Sequence, residues 1–242
     1  MKIIKLDAIG STNSFLKDLS QNSKLESYTT VVTKNQLNGR GQMDTTWISE
    51  PHKNLTFSIL INDFNLSIEN SKYINFATSL AIYHVLESKN ISDLSIKWPN
   101  DIMADIKKVC GILIENTFTG NKIKNTILGI GLNVNQTNFE SLQNATSIKI
   151  ETNLENNLDE LLLEIILKIK DQFSKINSKN YIALEEEYIS KLYRFKVQSD
   201  FKTAESEVFS GKIVGISKIG NLQIQPSNGS IKEFGVKEVS FL

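Results

Sequence analysis

Apolar and polar positions along the chain change period several times, and each change marks an element. Residues 55–61 carry Leu55, Phe57, Ile59 and Ile61 against Thr56 and Ser58. A period of two puts these sets on opposite faces of a strand, so this segment predicts a half-buried strand. In residues 68–88 the apolar side chains fall at 74, 77, 81 and 85, with 73 and 80 beside them, the spacing of a helix laid on a sheet. A stronger stripe of Leu158, Leu161, Leu162, Ile165, Ile169 and Phe173 predicts a helix over 158–176, and a second is expected at about 180–192. Near the start, residues 2–6 read as a short edge strand. Ser11-Thr12-Asn13 then offers an N-cap for a helix bearing Phe15, Leu16 and Leu19. Residues 30–33 are β-branched. Leu94, Ile96 and Trp98 alternate into a proline, and 111–115 and 127–134 read as further, central strands. The polar, asparagine-rich stretch 138–156 is expected to be a long loop.

After Arg194 the character changes. Short β-type runs at 195–197, 207–216, 221–225 and 230–234 are separated by Gly or Asn turns, the pattern of a small barrel. The expectation is an α+β chain of two domains, residues 1–190 and 191–242.

Composition narrows the function classes. The 242 residues hold 27 basic and 27 acidic side chains, for a formal net charge of zero. That argues against a broad footprint for nucleic acid or an anionic membrane. Cys110 is the only cysteine, so an internal disulfide and a cysteine-built zinc site are excluded, and a reducing cytoplasm is the expected setting. The first residues lack the apolar core of a signal peptide, and no stretch approaches a membrane span. His52 and His84 are too few for a histidine-based metal site.

Rare residues gather in two segments. Only two of the 27 cations are arginine, and one of them, Arg40, stands between Gly39 and Gly41 in Gln36-Leu37-Asn38-Gly39-Arg40-Gly41. The two tryptophans are Trp47, seven residues later, and Trp98, in Lys97-Trp98-Pro99-Asn100-Asp101. A guanidinium fork matches phosphate or carboxylate in a way lysine does not. Flanking glycines permit close backbone approach and φ > 0. An anion-binding loop follows, although a glycine turn with a solvated arginine accounts for the loop alone equally well. Pro99 restricts Trp98 to extended backbone, and Asn100-Asp101 suits a turn. Lys108 precedes the apolar run 109–113, where its amine would point into a cleft, although on the residues alone a solvated Lys107-Lys108 pair and a plain Asn-Asp turn account for this segment better. Gly129 and Gly131 sit two apart in an apolar run, which leaves one strand face bare. A flat ligand or a closely packed helix would each fit there. With no third glycine, the pair is not a dinucleotide fingerprint.

In order and spacing, Ser11-Thr12-Asn13, Gln36…Gly39-Arg40-Gly41…Trp47, Lys97-Trp98-Pro99-Asn100-Asp101…Lys108…Gly111-Ile112-Leu113 and Gly129-Ile130-Gly131-Leu132-Asn133 resemble the marks of the biotin–protein ligases. The resemblance extends over nearly the whole chain. It implies a class II aminoacyl-tRNA synthetase-like catalytic domain followed by an SH3-like barrel. It also implies activation of biotin by ATP to biotinyl-5′-AMP and transfer to a lysine of a biotin carboxyl carrier protein. By the same resemblance, Ser11, Thr12, Asn13, Gln36, Gly39 and Gly111 belong to the biotin site. Arg40, Gly41, Gln42, Trp47 and Asn133 belong to the ATP and adenylate site. Lys108 and Arg40 meet the biotin carboxylate and the α-phosphate. Asp101 assists the second step or a Mg²⁺ ion. A homodimer through the sheet is compatible with all of this.

The loop departs from the family's pattern of repeated arginines. Gln42, Asp44 and Thr45 replace two arginines and a glycine, which removes positive charge and predicts faster loss of the adenylate. With the first motif at Ser11, no N-terminal helix-turn-helix and no operator binding are expected. Two alternatives share the pattern. One is a lipoate or octanoate ligase or transferase, with Cys110 as the available thiol, although its place between Val109 and Gly111 at a strand start favours a buried structural thiol. The other is a non-catalytic biotin sensor.

Overall fold

In the computed structural model of the chain, which describes residues 1–42, 45–140 and 142–242 and only the backbone of 63–65, the alternating segments join in a seven-stranded sheet. Strand β1 (Ile3–Ile9) runs along one edge. Helix α1 (Thr12–Asn22) follows, and the Ser11 hydroxyl caps it by accepting from the Ser14 amide at 3.4 Å. Strand β2 (Thr29–Gln36) returns parallel to β1. A two-stranded ribbon, β3 (Gly39–Arg40) and β4 (Thr46–Trp47), stands outside the sheet. Strand β5 (Leu55–Ser67) leads through a 3-10 turn at Ile68–Asn70 into α2 (Lys72–Ser88). Hairpins then add β6 (Leu94–Lys97), β7 (Asp101–Ala104), β8 (Lys107–Thr119) and β9 (Lys122–Leu132). The strand order is β1-β2-β5-β9-β8-β7-β6, antiparallel beyond the first pair. The chain continues through α3 (Ile148–Thr152), α4 (Leu158–Asn177) and α5 (Tyr181–Ser190). A separate five-stranded antiparallel sheet ends it: β10 (Gln198–Thr203), β11 (Val208–Ile216), β12 (Leu222–Pro226), β13 (Lys232–Phe234) and β14 (Val239–Phe241), in the order β13-β12-β11-β10-β14. The fold is mixed α+β, and its last sheet has the character of an SH3-like domain.

One face of the large sheet, carrying Phe57, Ile59, Leu128 and Ile130, is sealed by α2 and α4. Each fully buried side chain of this size contributes about 1.5–3 kcal/mol. The other face is covered over β2, β5 and β9 by α1, through the small cluster of Leu16, Val31, Leu60 and Ile127. β5 is therefore not half-buried as its alternation predicts. Thr56 and Ser58 are 5% and 0% exposed, because the strand lies between two neighbours under α1.

Other expectations shift. The polar stretch 138–156 is not all loop. Ser147 caps α3 by accepting from the Ile150 amide at 3.2 Å, and Ile148 is fully buried. The turn after Trp98 takes in residues 98–100, so Asp101 opens β7 rather than closing a turn. In the tail, the run 195–197 makes only a bridge from Phe195 to Ile213, and the strand begins at Gln198. β14 carries no separate signal in the pattern.

Candidate functional site

The open part of the second sheet face is floored by glycines. Gly111 lies opposite Gly131 in the β8–β9 register, and Gly131 lies opposite Thr56 across β5. A side chain at Gly131 would collide with the Trp47 indole, whose Cζ2 stands 2.6 Å from a built Cβ. At Gly129 the obstacle is the Asn13 side chain of α1, with Cγ at 2.9 Å. The close-packing reading holds at Gly129, where a helix side chain lies on the glycine, and at Gly131 the bare face is taken by the chain's own Trp47 ring. The Trp47 Nε1 is buried without a hydrogen-bond partner among the described residues.

A chain of polar contacts crosses the floor beside Trp47. Gln36 Oε1 accepts from the Thr12 amide at 2.9 Å and from the Thr12 hydroxyl at 3.2 Å. Ser58 Oγ stands 2.7 Å from Thr12 Oγ1 and 2.5 Å from Asn13 Oδ1. Asn13 donates through Nδ2 to Glu115 Oε2 at 2.6 Å. The other Glu115 oxygen faces Arg40 Nη2 at 3.6 Å, and that nitrogen also donates to Ser14 Oγ at 3.0 Å. The ribbon that carries Arg40 is closed by the Gly41 amide donating to the Thr45 carbonyl at 2.7 Å. Gly39 and Gly41 serve close approach here. A Cβ at Gly39 would meet the Trp47 carbonyl and Gln36 Nε2, and one at Gly41 would meet the Thr45 hydroxyl. Neither is among the glycines with positive φ, so that part of the expectation does not hold. Asp44, one of the loop's departures, lies outside the described residues, as does Met43.

Lys108 reaches the floor through an irregularity. By strict alternation it would share a face with Ile112 and point at the core. The β7–β8 register slips between Ile102 and Met103, which pair with Cys110 and Lys108 and leave Val109 as the extra residue. Such a bulge re-aims the side chain beside it. The Lys108 ammonium consequently lies 2.7 Å from Asp101 Oδ1 and 5.7 Å from the Trp47 ring centre. It also stands 3.0 Å from a Cβ built on Gly111, a contact that glycine leaves free. Asp101 sits directly opposite Gly111. The turn that delivers Asp101 is clamped: the Pro99 carbonyl accepts from Asn75 Nδ2 at 2.5 Å and the Tyr188 hydroxyl at 3.1 Å, and Asn100 Nδ2 donates to the Ile112 carbonyl at 2.6 Å. Trp98 and Pro99 are joined by a cis peptide bond.

These residues surround a cleft of about 530 Å³. Ser11, Thr12, Asn13, Gln36, Arg40, Gly41, Gln42, Trp47, Asp101, Lys108 and Gly111 all line it. Gly39 and Asn133 do not. Gly39 is buried within the ribbon opposite Trp47, and Asn133 spends its amide on the Thr146 carbonyl at 3.0 Å. Three contributors went unread in the sequence. Ser58 and Glu115 complete the polar chain, and each could have been found by carrying the period of two along β5 and β8 from Thr56 and Gly111. The third is the far wall, where Phe201 and Phe241 of the last sheet and Lys237 of the turn before β14 face the cleft. No local signal connects that wall with motifs a hundred residues earlier. Cys110, by contrast, is fully buried, and burial pushes its thiol well above the usual range, only partly offset by Lys108. Among the described residues no group of three His, Cys, Asp or Glu side chains is placed to hold a metal.

The profile of the biotin/lipoate A/B protein ligase family matches residues 6–133. The bifunctional ligase/repressor BirA of Bacillus spizizenii is 31% identical over 134 residues, which make up 55% of this chain and 41% of that protein. The chain thus spans less than half the length of this relative. BirA of Escherichia coli is 26% identical over 245 residues, 97% of this chain and 72% of that one. Among solved structures, the biotin protein ligase from Aquifex aeolicus in complex with biotin and ATP superposes with a TM-score of 0.79 at 28% identity, covering 100% of this chain and 98% of that one.

Proposed function

The chain belongs to the biotin/lipoate A/B protein ligase family, and from that premise we propose that it is a biotin–protein ligase. It would activate biotin with ATP and transfer the biotinyl group to a lysine of a biotin carboxyl carrier protein domain. The observation that carries the reading is the Lys108–Asp101 pair, turned onto the glycine floor by the bulge and set against Trp47. In the first half-reaction a biotin carboxylate oxygen attacks the α-phosphorus, the bond to the bridging oxygen breaks, and pyrophosphate leaves. Two anions must meet, so fixed cations are needed where charge accumulates. Lys108 is such a cation in the cleft, and Arg40 is a second at its ribbon. Charge-assisted hydrogen bonds of this kind contribute about 1.5–3 kcal/mol each. Thr12, Asn13 and Gln36 supply short donors and acceptors beside an apolar wall, which suits a neutral ureido ring.

In the second half-reaction a carrier lysine amine attacks the acyl carbon, AMP leaves, and the amine gives up a proton. Asp101, on the cleft floor beside Lys108, would receive it. The cleft holds no preformed cage for Mg²⁺ among the described residues. The ion would come in on the ATP phosphates, with Asp101 as its protein ligand, and would neutralise phosphate charge. A single carboxylate plus substrate phosphates is an ordinary Mg²⁺ environment. The free, buried Cys110 fits a reducing cytoplasm and is not placed as a transferase nucleophile.

The test is ATP–pyrophosphate exchange with biotin, lipoate or octanoate as the acid. Biotin-dependent exchange is expected, with a loss of about a hundredfold or more in Lys108→Ala. Exchange with lipoate alone would move the protein to the sister activity. Binding of biotin with no exchange would mark a sensor.

A further inference from the structure

We propose that Glu115 is a positioning residue that links the two halves of the cleft, serving as the internal counter-ion of Arg40 while it orients Asn13. This deepens the adenylation reading and rests on it for the identity of the ligands. One carboxylate performs both tasks. Its Oε2 accepts from Asn13 Nδ2 at 2.6 Å, and its Oε1 faces Arg40 at 3.6 Å. Asn13 is 3% exposed and pressed onto Gly129, so its amide has no freedom beyond which end points where. Glu115 decides that. A carboxylate is acceptor-only, so it draws Nδ2, and Oδ1 is left for Ser58 at 2.5 Å. The Ser58 contact then continues through Thr12 to Gln36. The neutral-ring end of the cleft is thus set by a charge that also holds the anion-binding arginine.

Arg40 is half exposed and its ribbon is short, and among the described residues the other partner of its guanidinium is the Ser14 hydroxyl. An incoming phosphate or carboxylate must take Arg40 from Glu115. Glu115 therefore lowers the affinity of the empty cleft for anions and keeps the arginine from binding them indiscriminately.

Glu115→Gln tests this, because the amide oxygen still accepts from Asn13 while the charge is lost. The probe is inorganic pyrophosphate, titrated calorimetrically at low salt into wild type, Glu115→Gln, Arg40→Gln and the double variant. Glu115→Gln is expected to bind about threefold more tightly than wild type, the scale of a partly exposed ion pair. In the Arg40→Gln background the same change is expected to give no gain. Equal affinity in wild type and Glu115→Gln, undetectable binding by both, or a gain that persists without Arg40 overturns the proposal. Thermal unfolding of Glu115→Gln close to wild type separates the effect from a structural one. If biotin-dependent exchange is absent in wild type but the pyrophosphate pattern holds, the reading of the reaction falls and the role of Glu115 stands. The reverse result sinks only Glu115.

Discussion

Gly131 shows how single positions shape this site. A Cβ there meets the fused ring of Trp47, which is wedged between the floor and the Lys108 ammonium. The far end of a flexible side chain could step aside, but an indole over a sheet has little room. Gly131→Ala is therefore expected to expel the ring from the floor at a cost of about 1–3 kcal/mol, the range for overpacking. The check is tryptophan emission together with urea unfolding. Emission should shift to longer wavelength as Trp47 gains water, and the midpoint should fall. Unchanged emission would mean that Trp47 does not depend on a bare face at Gly131. Gly120 is the contrasting case. Its φ is +57° and a Cβ would meet nothing within 4 Å, so its requirement is backbone conformation alone.

At the scale of elements, the turn between β6 and β7 has two tasks. It delivers Asp101 to the floor, and it holds the last sheet through Trp98, whose Nε1 donates to the Gly220 carbonyl at 3.1 Å. Trp98→Phe keeps an aromatic ring but removes that donor together with the indole's second ring. Faster hydrogen exchange is expected in the turn between β11 and β12 but not in β5 or β9, with a stability loss of about 1 kcal/mol. Uniform change across both sheets would contradict it. A second junction joins α2, α4 and α5, where Glu187 accepts from His84 at 2.6 Å and from Lys175 at 3.1 Å. Burial alone would raise the Glu187 pKa, but the hydrogen bond and charge of Lys175, with His84, outweigh it and hold the pKa below the ordinary 4.5. A depressed carboxylate contributes stability above its unfolded pKa and loses it as pH falls through the folded value. The stability difference between wild type and Glu187→Gln should therefore shrink as pH is taken from neutrality to below 4.5, measured by denaturant titration at each pH. How legible each element was follows from its length and periodicity. β5, α2, α4 and the β8–β9 hairpin are long enough for a period to emerge, and Ser11 announces α1 by capping chemistry. β7 and β14, at four and three residues, are too short to show alternation. α3 hides in a polar run because one buried isoleucine and a serine cap suffice to hold it. Motif spacing brought Thr12, Gln36, Arg40, Trp47, Asp101 and Lys108 to one cleft. It did not foresee the bulge at Val109, because a slipped register is a property of two strands together.

At the scale of the whole molecule, the two sheets are not independent. One apolar cluster runs from Phe57 and Leu80 to Tyr188 and Leu192, and on to Phe201, Ile213 and Phe234 of the last sheet. The connecting segment is itself part of the large sheet's edge. The Ile96 amide donates to the Lys191 carbonyl at 2.8 Å, and the Tyr193 amide donates to the Ile96 carbonyl at 2.9 Å. Lys72 adds a tie from the other side, bridging Glu185 at 2.9 Å and the Ser217 carbonyl at 3.2 Å. The five strands from Gln198 to Phe241 form too small a unit to bury a sufficient core alone. Their stability has to be borrowed across this junction. Unfolding in urea is therefore expected to be one cooperative transition, with tryptophan fluorescence and far-ultraviolet circular dichroism coincident. The two probes report different places, since both tryptophans line the cleft between the sheets while the dichroism averages over the chain. Fluorescence changing before dichroism would show the last sheet leaving first and the cleft opening while the large sheet survives. Coincident curves that move together to higher urea when biotin and ATP are added would show that the cleft, its far wall included, exists only in the fully folded chain.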